Sequence, residues 1–130
     1  MKVLDPPGWP RPRGYSNGIS ARGRMIFTAG VIGWDDQHRF AADTLAGQFE
    51  QALRNIVAIL AEDGAGPEHI VRMTCYVTDI GAYRNSLPDI GAVWKREIGR
   101  HYPAMALVEV VRLVEREAKV EIEATAVVPE

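Results

Sequence analysis

The sequence calls for more apolar cover than its own helices can supply. Ala106 to Leu113 and Ala118 to Val128 read as two strands joined by Val114-Glu115-Arg116-Glu117. Side chains alternate across a strand, so Val108 and Val110 point one way while Leu107, Val111 and Leu113 point the other. Only two helical segments precede these strands, and two helices cover one face of a sheet. An apolar face left open on a small domain is normally closed by another subunit. Self-association is therefore expected on pattern alone.

The remaining elements fit around that sheet. Residues 1–14 hold four of the eight prolines and two glycines, which predicts an irregular, extended arm. Tyr15 to Ile19 and Arg24 to Ile32 read as strands about the turn Ala21-Arg22-Gly23, with Gly30 and Gly33 marking a bulge or a close backbone approach. Leu45, Phe49, Ala52, Leu53, Ile56 and Leu60 recur at helical spacing behind a cap at Asp43 or Thr44, and Gly64 and Gly66-Pro67 stop the helix. Ile70 to Thr78 alternates Val71, Met73, Cys75 and Val77 against Arg72, Thr74, Tyr76 and Thr78, as a two-faced strand does. A second helix is predicted from near Ala82 to Ile98, with Pro88 making Leu87 an alternative start. The order is β-β-α-β-α-β-β in one α+β domain over residues 1–130, with two helices on one face of a mixed sheet.

Composition narrows the function classes. A formal charge of -2 and a pI of about 5.9 argue against a phosphate backbone as partner, so nucleic acid is not expected. No apolar run approaches a membrane span, and Met1 to Pro7 carry an acid and two prolines where a secretion signal has its apolar region. With Cys75 the lone cysteine, no internal disulfide is possible, and a cytoplasmic, membrane-free protein is expected.

The candidate chemistry is sparse. Glu121 and Glu123 share one strand face; a carboxylate in a cleft there could position water as a general base, while a solvated polar face is the plainer reading. Glu109 lies among apolar neighbours, where it is either half of an ion pair with Arg72 or Arg112 or a site residue. His38, His69 and His101 fall in separate connections without ligand spacing, so no metal is expected. Cys75 sits on the Val71-Met73-Val77 face and reads as core. Trp34 and Tyr15 are each either a pocket wall or an ordinary packing aromatic.

Tyr102-Pro103-Ala104-Met105-Ala106-Leu107-Val108-Glu109-Val110, Arg112-Leu113 and Val120-Glu121-Ile122-Glu123-Ala124 together resemble the RidA (YjgF-type) family. Gly14-Tyr15-Ser16, Thr28-Ala29-Gly30 and the run from Asp63 to Thr74 extend the resemblance over essentially the whole chain. It implies a chorismate-mutase-like α+β fold, a homotrimer with clefts between subunits, and cofactor-free hydrolysis of enamines or imines such as 2-aminoacrylate. In such a site an arginine holds the substrate carboxylate while water attacks the imine carbon.

This chain departs from that pattern where it matters chemically. Met105 stands at the arginine position, Ala29 where serine is usual, and Val31 where glutamine is common. The resemblance assigns Glu121 to the water and Tyr15, Ala29, Gly30, Val31, Trp34, Met105 and Leu107 to the substrate cleft. The expected function is enamine/imine deamination of a small metabolite with changed specificity. The alternative is a non-catalytic trimer that binds a metabolite or acts as a regulator or chaperone. Arg72, Arg84 and Arg100 are candidates to replace the missing cation.

Overall fold

A computed structural model describes residues 1–130. Helix α1 spans Leu45–Ala61, and its N-cap is Thr44, whose Oγ1 accepts the Gly47 N–H at 3.1 Å. Its periodic residues Leu45, Phe49, Ala52, Leu53, Ile56 and Leu60 are all buried. Beyond its end, Gly64 at φ 73 turns the chain so that the Ala65 N–H returns to the Leu60 carbonyl at 3.0 Å.

The main sheet runs β3 (Arg24–Phe27), β7 (Val120–Val128), β5 (Ile70–Val77), β6 (Ala104–Glu109), with the short β4 (Val31–Ile32) also paired to β7. Strands β5 and β6 are parallel, and the other pairs in this sheet are antiparallel. The register aligns Met73 with Met105 and Ala124, and Cys75 with Leu107 and Ile122. This row packs on α1 and on α3 (Leu87–Glu97), around Phe49, Leu53, Ile90 and Trp94. Each large side chain so buried contributes about 1.5–3 kcal/mol before conformational entropy is counted. Gln48 is the buried polar residue of α1. Its amide donates to the Ala42 and Glu117 carbonyls at 3.2 and 3.0 Å, and its Oε1 accepts the Lys119 N–H at 2.7 Å. The helix thereby holds the start of β7 in place.

Four details differ from the sequence expectation. The second helix is split into α2 (Ile80–Asn85) and α3, with Ser86 between them and Pro88 in the first turn of α3, where no N–H is required. Lys2–Leu4, within the arm expected to be irregular, form β1 and pair with β2 (Gly18–Ser20). The strand expected from Arg24 to Ile32 is broken between β3 and β4. Phe27 faces Thr125 and Val31 faces Ile122, so four steps on one side match three on the other: one extra residue, a β-bulge at Ala29-Gly30. There the Thr28 hydroxyl accepts the Ala124 N–H at 3.0 Å.

The fourth concerns the uncovered apolar face. Apart from a single bridge at Ala104, strand β6 pairs only with β5, and after the Val110 N–H reaches the Val77 carbonyl at 2.8 Å it has no partner left. Val111 is therefore 85% exposed in a loop and presents no sheet face. The open face of the sheet carries Phe27, Met25 and Val108 instead, 66%, 57% and 45% exposed. No helix of the structure is long and apolar enough to cross a membrane.

Candidate functional site

Apart from Ala29, the predicted site residues fall into two places. Tyr15, Met105 and Leu107 line a cleft of about 770 Å³ between β6 and α3. Tyr15 is brought there by its neighbour. The Ser16 N–H donates to the Pro103 carbonyl at 3.0 Å, its hydroxyl to the Tyr102 carbonyl at 2.5 Å, and Ser16 bridges Ala104. Across the cleft stand Tyr83 of α2 and Leu87, Ile90, Gly91, Trp94 and Lys95 of α3, with Arg13 at the arm. Trp94 is fixed by its indole N–H to the His101 carbonyl at 3.1 Å and by stacking on Tyr102 at 6.1 Å. Burial pushes the Tyr83 phenol above its ordinary pKa, with the Cys75 sulfur adding to the shift.

Gly30, Val31, Trp34 and Glu121 border a notch of about 500 Å³ at the bulged edge, together with Asp35, Asp36, His38 and Glu115. Asn55 of α1 pins this edge by donating to the Ile32 and Trp34 carbonyls at 3.1 and 2.8 Å. The Trp34 ring stacks on His38 with centroids 3.8 Å apart, and His38 adopts φ 59 to do so. Asp35 closes the turn beneath it, and the N–H groups of Arg39 and Gln37 hold its carboxyl below the usual range. These acids are not gathered as a metal-binding group.

Two glycines make the notch possible. A Cβ on Gly30 would lie 2.5 Å from Glu121 Oε2, so glycine lets that carboxylate rest against the backbone where it now sits. A Cβ on Gly33 would meet the Gln48 carbonyl at 2.5 Å, so glycine there lets the loop lie on α1. Ala29 occupies the bulge but lines neither cavity.

Glu109, Glu121 and Glu123, all on late strands, have different fates. Glu109 Oε1 accepts the Ile80 N–H at 3.0 Å, so it serves the start of α2, and neither Arg72 nor Arg112 pairs with it. Glu123 accepts the Tyr76 hydroxyl at 2.5 Å. That bond, then burial and the nearby Glu123 and Glu121 charges, raises the Tyr76 phenol pKa. Glu121 pairs through its backbone with Ile32 and Tyr76, but its carboxylate has no hydrogen-bond or ion-pair partner within the chain. Cys75 is buried and its thiol is pushed up to about 12, which removes it as a nucleophile.

The sheet separates the two places. Met105 and Leu107 register with Met73 and Cys75 on the helix side, whereas Glu121 registers with Tyr76, whose side chain points away from the helices. Within one chain Met105 and Glu121 therefore lie on opposite faces. Arg13, Lys95 and Gly91 were missed by sequence reasoning, although Leu87, Gly91 and Lys95 at four-residue spacing share one helical stripe. Among the arginines weighed as substitutes, Arg72 borders a separate groove with Phe27 and Glu123, and Arg84 and Arg100 line neither cavity.

Comparison with known proteins supplies the context. The family model described as Endoribonuclease L-PSP matches residues 10–128. A RutC family protein of Synechocystis sp. is 33% identical, covering 99% of this chain and 98% of that protein. The 2-iminobutanoate/2-iminopropanoate deaminase of Salmonella typhimurium is 33% identical over 87% of this chain and 86% of its own length. Among solved structures, YyfB of the Rid protein family from Yersinia pestis superposes with a TM-score of 0.86 at 27% identity, covering 98% of both chains. Escherichia coli TdcF with bound serine gives a TM-score of 0.69 at 32% identity, again covering 98% of both.

Proposed function

The chain belongs to the RidA (YjgF-type) family, the one described as Endoribonuclease L-PSP, and from that membership we propose a cofactor-free hydrolase of small enamines or imines with changed specificity. The observation that carries this reading is the uncommitted carboxylate of Glu121, set against the bare backbone of Gly30 at an open notch. Glu109 and Glu123 are both spent on intramolecular bonds. In the proposed reaction Glu121 orients a water and takes its proton as the oxygen attacks the imine carbon. The proton returns from Glu121 to nitrogen to give the tetrahedral amino alcohol. Its hydroxyl proton then passes by the same carboxylate to the leaving nitrogen as the C–N bond breaks and the carbonyl forms. Imine and water thus give carbonyl compound and ammonia, and Glu121 is regenerated.

Met105 and Tyr15 contribute to the same site only if a second chain brings its helix-side cleft to the notch of the first, as in a homotrimer with sites between subunits. The exposed Phe27, Met25 and Val108 supply an apolar surface for such an assembly. Nuclease chemistry is not favoured by the family's description alone: the net charge is -2, His69 Nδ1 is occupied by the Gly66 N–H at 2.9 Å, and His101 Nε2 meets the Ile70 carbonyl at 2.5 Å.

Turnover is tested by generating imines with an amino-acid oxidase and following competition with semicarbazide. Glu121→Gln is expected to lower kcat by about 10²–10⁴-fold, the usual worth of a positioned general base, while Glu123→Gln leaves it nearly unchanged. Activity on 2-aminoacrylate is expected to be weak, because the lost bond from arginine to carboxylate is worth about 1.5–3 kcal/mol. Turnover that survives Glu121→Gln would sink the reading, and a monomer by light scattering at micromolar concentration would remove the shared site.

A further inference from the structure

We propose that the cleft over Met105 takes an elongated apolar or aromatic carboxylic acid, its body along Met105, Leu107 and Gly91 and its carboxylate at the rim between Arg13 and Lys95. The inference rests on the reading above for the identity of the site and extends it to the class of ligand.

Arg13 and Lys95 are the charged residues bordering this cleft, and both are exposed and absent from every ion pair in the structure. No carboxylate borders it. A rim that is purely cationic, over a floor of Met105, Leu107, Phe49 and Ile90, matches an amphipathic anion and disfavours a cationic or wholly polar ligand. The volume of about 770 Å³ lies within the range of small-molecule sites and far exceeds what a three-carbon acid fills.

The shape agrees with the charge. A Cβ added to Gly91 meets no atom within 4 Å, so the α3 wall is open at mid-helix, where glycine costs about 0.5–1 kcal/mol relative to alanine. With Met105 on the floor, the positive charge sits at the arm and the last turns of α3. In the proposal a ligand holds its carboxylate at this rim and lays an apolar body along Met105 and Leu107.

The test is calorimetric binding to the full-length Glu121→Gln protein, which isolates affinity from turnover. The probes are 4-phenylbutanoate, its neutral amide, and pyruvate as the short acid. The acid is expected to bind at least about tenfold more tightly than the amide and than pyruvate, the scale of one charge-assisted contact. Arg13→Ala/Lys95→Ala should erase the advantage over the amide while leaving amide binding in place. Gly91→Leu should abolish binding of both phenyl compounds while circular dichroism stays native and Tm does not fall. Equal affinity for acid and amide, pyruvate as the tightest ligand, or full affinity in folded Gly91→Leu would overturn the proposal. Those results would leave Glu121-dependent hydrolysis standing. Conversely, intact acid selectivity in a protein that hydrolyses no imine would refute the hydrolase and keep the cleft.

Discussion

The cleft beside Met105 carries Arg13 and Lys95 and no carboxylate, whereas the notch beside Glu121 carries Asp35, Asp36, Glu115 and Glu121 and no lysine or arginine. The cleft is floored by core side chains and framed by a helix; the notch is an interruption in a strand, shaped by one extra residue and by glycines. Under the proposed function, specificity and chemistry fall to different kinds of structure: a packed apolar floor would select by size, and a backbone irregularity would aim the Glu121 carboxylate. The separation also means that each half can be changed without disturbing the other.

The sharpest way to break the comparison acts on the notch. In Gly30→Val the new Cβ would fall 2.5 Å from Glu121 Oε2 and 3.1 Å from its Cγ, so the carboxylate must move. We expect kcat to fall about 10²-fold or more, near the effect of losing the base, with acid binding in the Met105 cleft intact. Unchanged kcat in a folded Gly30→Val protein would mean that Glu121 has no aimed position to lose.

The next largest effect acts on the cleft. Met105→Arg places a guanidinium on the floor among Leu107, Tyr15 and Tyr83. We expect kcat/KM for 2-aminoacrylate to rise roughly tenfold to a hundredfold, the reach of one charge-assisted pair, and 4-phenylbutanoate to bind more weakly. No gain on the small imine would show that position 105 does not set the charge requirement.

How far the sequence revealed these halves depends on the reach of the signals involved. Helix α1, its cap (Thr44 of the two candidates) and the alternation of β5 are local patterns, and they survive folding intact. The resemblance placed Glu121, Tyr15, Ala29, Gly30, Val31, Trp34, Met105 and Leu107 on the candidate site, and the structure puts all but Ala29 beside one of two separate cavities. What escaped was set by pairing. Residues 110–113 look like strand until β5 ends at Val77 and leaves them without a neighbour. Lys2–Leu4 become strand because Gly18–Ser20 lie opposite, a contact no nearby residue announces. Glu109 looked like half of an ion pair, but the orphan N–H of Ile80 takes it. Arg13 and Lys95 were invisible for the same reason: the arm and α3 are far apart in sequence and meet only at the cleft.

The smallest expected effect separates Glu121 from Glu123, neighbours on one face of β7 with different duties. The Tyr76 phenol is raised above its ordinary pKa of 10, first by its bond to Glu123, then by burial and by the two carboxylate charges. A phenol whose folded pKa lies above its unfolded value contributes stability that is fully present below pH 10. That contribution is lost as pH rises through the folded pKa. Glu123→Gln removes the leading cause, so the phenolate absorbance of Tyr76, identified by difference from Tyr76→Phe, should appear at lower pH than in the parent. Glu121→Gln removes only a charge that ranks last among the causes and should move the same titration less. If the two variants shift Tyr76 equally, Glu123 is not committed to the phenol, and the contrast that singles out Glu121 as the free carboxylate loses its basis.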